Sequence, residues 1–220
     1  MFLLFCLLFR RKGREKRMNT LWHIFQAGGW MMGPILLCSF LAAAIGAERF
    51  LFYRGSRSRM EVLADAAAGF GKTGDAAVLA AVLEEEDGCA ARVLRKALAG
   101  GGSRTAQSLR LEYEASRELT ALRRYLPVLR AIVTLAPLLG LLGTVIGMIQ
   151  SFRVLTAAAG QPAAVTGGVA EALICTAFGL FAAILALLIH SFFSQQLDEL
   201  TAQMEQAANL YLAALAERES

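Results

Sequence analysis

Apolar residues dominate three long windows of this chain, roughly Gly28–Ala47, Ala131–Phe152 and Val169–Phe193. Each is long enough to cross a hydrocarbon core about 30 Å thick. Each ends in polar or charged flanks: Glu48 and Arg49, then Arg130 and Arg153, then Ser194 to Glu199. Between the first two windows the pattern becomes helical and glycine-broken. Arg59–Phe70, Asp75–Glu86, Ala90–Ala99 and Ser103–Tyr125 read as helices, separated by glycine-rich breaks at Gly69, Gly71, Gly74, Gly88 and Gly100–Gly102. In the last of them, Leu119, Leu122, Leu126 and Leu129 recur at helical spacing, and Arg110 and Glu114 stand at i,i+4. That helix is expected to run directly into the second window, with Pro127 and Pro137 as bending points. After the third window, 195–217 continues as an amphipathic helix. Leu197, Leu200, Met204, Ala207, Leu210 with Tyr211, and Ala214 form one stripe, the pattern of a helix that packs on a neighbour.

The fold class is therefore all-α: an integral membrane protein with three transmembrane helices and long helices extending into a cytoplasmic helical region. Composition agrees, with 56% apolar and 18% charged residues, a membrane balance for a chain of this size. The segment Arg54–Leu126 carries a dozen Lys and Arg, and the link Thr156–Thr166 carries none. The positive-inside rule places loop 54–126 and the C-terminus in the cytoplasm, and the start of the first span outside.

Residues 1–17 oppose that orientation. Phe2–Phe9 is apolar but too short to span, and Arg10 to Arg17 is densely basic. The charges follow the apolar run instead of preceding it, unlike a signal peptide. Translation from Met18 would remove the conflict; a membrane-surface anchor is the alternative. On this reading 1–17 is a mis-start or basic extension, and 18–220 is the working domain.

Soluble-site chemistry is poorly supported. Cys6, Cys38, Cys89 and Cys175 lack paired or metal-like spacing and read as small apolar residues. His23 and His190 are far apart. Gly71-Lys-Thr73 has the end of a phosphate loop, but Ala66 stands where the motif needs glycine. Glu84 to Asp87 reads as a solvated helix end. No cofactor, metal or catalytic group is expected.

The polar residues inside the apolar windows are more informative. Glu171 is the one carboxyl within them, and a carboxyl in that setting is costly enough to imply pathway lining or helix pairing. Glu48 beside Arg49 reads as an interfacial anchor. Pro137, Gly140, Thr144, Gly147 and Ser151 form a small or polar stripe, with Gly143 beside it. Ala172, Thr176, Gly179 and Ala183 form a second. Small residues let helix backbones approach closely in lipid, although a membrane threonine can simply bond its own preceding turn. A threonine orders water or bonds a carboxyl but does not change charge near neutral pH. If ions cross the whole membrane, a further titratable group must come from a partner.

Three blocks resemble the ExbB/TolQ/MotA proton-channel family, and ExbB-type subunits in particular: Gln26 to Ser39 with Glu48-Arg-Phe50, Ala136 to Met148, and Val169 to Leu180. The resemblance implies an oligomeric ring, a homopentamer, enclosing a pair of ExbD-like single-span helices. Each of those helices supplies an intramembrane Asp. It implies that Thr144 and Thr176 line the pore and that Glu171 is the pore-end glutamate, while Pro137, Gly140, Gly143, Gly147 and Gly179 are expected to serve helix packing on the small-residue pattern itself. It further implies a bacterial inner-membrane complex in which proton-motive force energises a TonB-like protein, and no nucleic-acid partner. The family commonly has proline where Leu185 stands, so a kink in the third span is in question. TolQ-type function is the near alternative, and a passive membrane scaffold a second.

Overall fold

The computed structural model describes residues 29–157 and 162–219. The expectations for residues 1–28 and for the centre of the link, 158–161, lie outside the described residues. Among the described residues every regular element is a helix: α1 Met32–Ser56, α2 Met60–Thr73, α3 Ala76–Glu85, α4 Cys89–Leu98, α5 Arg104–Arg123, α6 Leu126–Ala157 and α7 Pro162–Glu219. Those carrying the three apolar windows, α1, α6 and α7, are long and apolar enough to cross a membrane. The four helices predicted between the first two windows appear as α2 to α5, within three residues at each boundary, but Gly69 and Gly71 lie inside α2 instead of breaking it, since the left-handed stop falls at Gly74 and Gly71 gives room to Ala214. Contacts divide the described residues into two compact units, one holding 29–41 with the described part of 132–185, the other 42–131 with 186–219.

The second unit is built from capped helices on a common core. Gly74 ends α2 at φ 70°, where its N–H bonds the Phe70 carbonyl, the left-handed stop that glycine adopts without a Cβ penalty. Asp75 then caps α3, accepting from the Ala77 N–H at 2.9 Å. Gly88 has no side chain with which to cap α4, so Ser58 does it from a distance, accepting from the Ala90 N–H at 3.1 Å. Positive φ at Gly101 and Gly102 turns the chain into α5, which Ser103 caps through the Ala106 N–H.

The tail stripe of α7 buries as its spacing predicts. Leu197, Leu200, Met204, Ala207 and Ala214 are each at most 5% exposed, and Tyr211 takes the place offered to Leu210. The Tyr211 ring stacks on Phe70 at 5.8 Å, and its hydroxyl donates to Gln107 Oε1 at 2.7 Å. A buried phenol needs such an acceptor. The stripe's neighbours are thus helices of its own chain. Between α4 and α5, Lys96 Nζ pairs with Glu114 at 3.3 Å and Glu118 at 3.1 Å, and Arg92 also reaches Glu118. The expected Arg110–Glu114 pair is replaced. Arg110 donates to the Gly101 carbonyl at 2.8 Å, because a glycine-rich turn offers unpaired carbonyls within its reach.

The expectation that α5 continues straight into the second span needs correction. The helix is interrupted at Arg124–Tyr125 and restarts at Leu126. Pro127 has no N–H for the Arg123 carbonyl, so the hydrogen-bond ladder of α5 cannot continue through it, and Pro127 sits in the first turn of α6, where a missing N–H costs nothing. The break leaves carbonyls at the end of α5, and α1 supplies their donors. Arg49 donates from Nη1 to Ala121 and Leu122 at 3.2 and 3.1 Å. Tyr53 donates to Leu122 at 2.8 Å.

The first unit is apolar. Its core joins Ile35 with Ala136, Ala182 and Ala183, and Met31 and Met32 with Cys175. Much of its large apolar surface is exposed, including Leu36, Leu37, Phe40, Leu138, Leu142, Val145 and Phe181. Such surface suits hydrocarbon or further membrane helices better than water.

Candidate functional site

The two small-residue stripes face each other. A Cβ placed on Gly140 would stand 3.1 Å from the Thr176 Cα and 3.3 Å from the Gly179 Cα. One placed on Gly179 would stand 2.7 Å from the Ala136 carbonyl oxygen and 2.9 Å from the Gly140 Cα. Gly143 meets Cys175 in the same way at 2.7 Å, and Gly147 meets Ala172 at 2.9 Å. At Gly140 and Gly179 backbone thus lies on backbone, and at Gly143 and Gly147 the α6 backbone lies on a Cβ of α7, approaches open only where a side chain is absent. Pro137 lies inside α6 without ending it.

Thr176 sits within this seam. Its hydroxyl donates across to the Gly140 carbonyl at 3.1 Å. A carbonyl only accepts, so the hydroxyl proton is committed and the oxygen's lone pairs remain for an incoming donor. Thr144 is half-buried and donates back to Leu141, three residues earlier, at 2.6 Å. Ser151 does the same to Gly147 at 2.8 Å. Every one of these hydroxyls is therefore anchored to backbone.

Glu171 is half-buried and lies on a different side of α7 from Thr176. Five residues separate them, about 140° around a helix of 3.6 residues per turn. Its carboxyl rests against the backbone of Gly29, in a small recess lined by Trp30, Gly147, Gln150 and Cys175. The structure brings Thr176 to Gly140 beside Gly179, and places Glu171 toward the other end of the seam, where Gly143 and Gly147 line its recess. Sequence reasoning missed Gly29 and Gln150. Gln150, a lone amide at the end of an apolar window, was a legible signal; Gly29 was not, because only its φ and its neighbour distinguish it. Arg49 was also missed as a structural donor. It is 2% exposed, paired with Glu48 at 2.9 Å and flanked by the Phe52 and Tyr125 rings.

Where the sequence offered a kinking proline in related chains, α7 runs unbroken through Leu185. Among the described residues no group of three potential metal-ligating side chains occurs.

These features define a helical membrane protein with a close glycine seam, committed hydroxyls and a single acid in the apolar layer. Residues 84–206 match the sequence model of the MotA/TolQ/ExbB proton channel family, and the chain belongs to that family. It is similar to an ExbB-like biopolymer transport protein of Synechocystis, 34% identical over 171 residues covering 76% of this chain and 81% of the relative. It is also similar to the Tol-Pal system protein TolQ of Pseudomonas aeruginosa, 42% identical over 101 residues, 46% of this chain and 44% of that one. The biopolymer transport protein ExbB of Salmonella typhimurium is 35% identical over 104 residues, 45% of this chain and 43% of the relative.

Proposed function

We propose that this chain is the proton-pathway and stator subunit of an inner-membrane complex that uses proton-motive force to energise TonB-dependent outer-membrane import. The cargo class is iron-siderophore, haem or cobalamin. The observation that carries the reading is Glu171, the one carboxyl in the three apolar windows, on a helix whose neighbouring face is the α6–α7 glycine seam. Residues 18–220 act as one ExbB-like unit, with the start of the first span outside and both loop 54–126 and the C-terminus cytoplasmic.

The subunit works as a homo-oligomeric ring, a pentamer, around ExbD-like helices that bring an intramembrane Asp. That Asp supplies the carrier this chain lacks along most of its windows. Thr144 and Thr176 line the path. With its proton held by Gly140, Thr176 is an acceptor for a protonated carboxyl or a donor water and repels no neutral acid. Glu171 takes or delivers the proton at one end. Pro137, Gly140, Gly143, Gly147 and Gly179 hold the helices together. The chain makes and breaks no covalent bond and needs no cofactor.

The test is flux. The native complex is purified in mild detergent and reconstituted, and proton uptake under an imposed potential is read with a pH-sensitive dye. Glu171→Ala and Thr176→Val are expected to abolish uptake with assembly intact. Wild-type uptake in both at equal protein would refute the reading and leave a passive scaffold. The match to TolQ of Pseudomonas aeruginosa favours a second reading, a subunit energising the Tol-Pal envelope system. Mass spectrometry of the purified complex separates the two: an ExbD-like and a TonB-like protein support the first, a TolR–TolA pair the second.

A further inference from the structure

Gly29 stands three residues before the start of α1, at φ 64°, a conformation that L side chains rarely adopt. A Cβ added there would overlap Glu171 Oε1 and stand 3.4 Å from its Cδ. Four residues on, a Cβ added to Gly33 would meet nothing within 4 Å. The space beside Gly29 is therefore filled by one particular group, the Glu171 carboxyl. The opposite wall is equally constrained. Gly147 presses on Ala172, the residue after Glu171, and Gly143 presses on Cys175, one turn further along α7. Trp30 and Gln150 complete the recess.

We propose that Gly29 is a positioning residue for Glu171: its missing side chain is the berth of the carboxyl. The inference deepens the proton-pathway reading and rests on it. A carboxyl attached through two methylenes has several rotamers. Leaving the Gly29 side of the recess free of a side chain, with the α6 glycines packed against Ala172 and Cys175, favours the rotamer that points back toward the chain preceding α1. The entry segment, and not only the pore helices, then sets where the proton is taken up or released. A side chain at position 29 would expel the carboxyl from the berth without altering the α6–α7 seam.

The test uses the reconstituted native complex and reads proton flux per assembled ring. Gly29→Ala adds both a Cβ and backbone strain. Gly29→Asn adds the Cβ in a residue that tolerates positive φ, so it isolates displacement of the carboxyl from local misfolding. Both are expected to lower flux about tenfold or more, the scale of a misplaced reacting group. Gly33→Ala is expected to leave it unchanged. Glu171→Asp withdraws the carboxyl by one methylene. It is expected to lower flux alone, yet to raise it about threefold in the Gly29→Ala background, a coupling that independent sites do not show. Flux in Gly29→Asn equal to Gly33→Ala, or Glu171→Asp lowering flux in both backgrounds, would overturn the inference. Wild-type flux in Glu171→Ala would instead overturn the proton-pathway reading itself.

Discussion

Arg49 on α1 donates to the Leu122 carbonyl at the end of α5 at 3.1 Å, 73 residues away in sequence. The same guanidinium reaches the Ala121 carbonyl, holds Glu48, and lies between the Phe52 and Tyr125 rings at 4.9 and 4.6 Å. A side chain that pairs, bonds and stacks at once is suited to arginine and not to lysine, because only the planar fork does all three. It secures the chain where Pro127 interrupts the helix.

Arg49→Ala should therefore destabilise the protein by about 1–3 kcal/mol, since it removes charge-assisted hydrogen bonds to two carbonyls together with the contacts to both rings, while Tyr53 still serves Leu122. Arg49→Lys should recover less than half of that. Thermal unfolding of the detergent-solubilised protein reads both; a lysine variant as stable as wild type would show that charge alone suffices.

The glycine seam makes an opposite-sign prediction for one chemical change. Gly→Ala inside a helix ordinarily gains about 1 kcal/mol from propensity. Gly33→Ala, with open space, should hold or raise the melting temperature. Gly179→Ala must move the Ala136 carbonyl and Gly140 and should lower it. Equal shifts in the two variants would mean that the seam is not close-packed in the membrane.

Thr176 separates packing from transport. Hydrogen bonds between membrane helices average only about 0.6 kcal/mol, so Thr176→Val should scarcely alter stability. It should nevertheless abolish proton flux, and Thr176→Ser should retain most of it. A valine variant that is unfolded, or one that conducts normally, would each contradict the assignment.

The α4–α5 contact predicts an acid response. Burial pushes the Glu118 carboxyl up, but hydrogen bonds and charge from Arg92 and Lys96 outweigh it and leave the group below its ordinary range. A depressed acid stabilises the fold above its unfolded value, and the benefit disappears as pH falls through the folded one. Stability should thus fall at acidic pH, below about 4, and Glu118→Gln should flatten that fall. Unfolding midpoints measured across acidic buffers check it; identical pH slopes in the two proteins would count against the pair.

The helices outside the spans were legible because glycine and capping residues punctuate them in the sequence itself: Gly74 with Asp75, Gly88, then Gly101 to Ser103. The apolar windows were legible because a bilayer imposes length and composition on any segment that crosses it. The tail stripe was legible at helical period, down to the exchange of Leu210 for Tyr211. Where reasoning stopped short, the missing information was a distant partner. Arg110 lay four residues from Glu114, yet it turned to Gly101, and Lys96 took its place. Arg49 looked like a boundary charge until α5 ended beside it.

Sequence alone determined an all-helical membrane chain, the positions of its apolar windows, the small-residue stripes and the one acid among them. Those properties depend on local period, composition and solvent preference, which each segment carries within itself. Tertiary structure alone decided that the stripes of α6 and α7 meet backbone to backbone, that the Thr176 proton is held by Gly140, and that Glu171 lies over Gly29 instead of beside Thr176. These are relations between residues far apart in the chain. Their free energy arises only when packing brings them within bonding distance, so no local pattern encodes them.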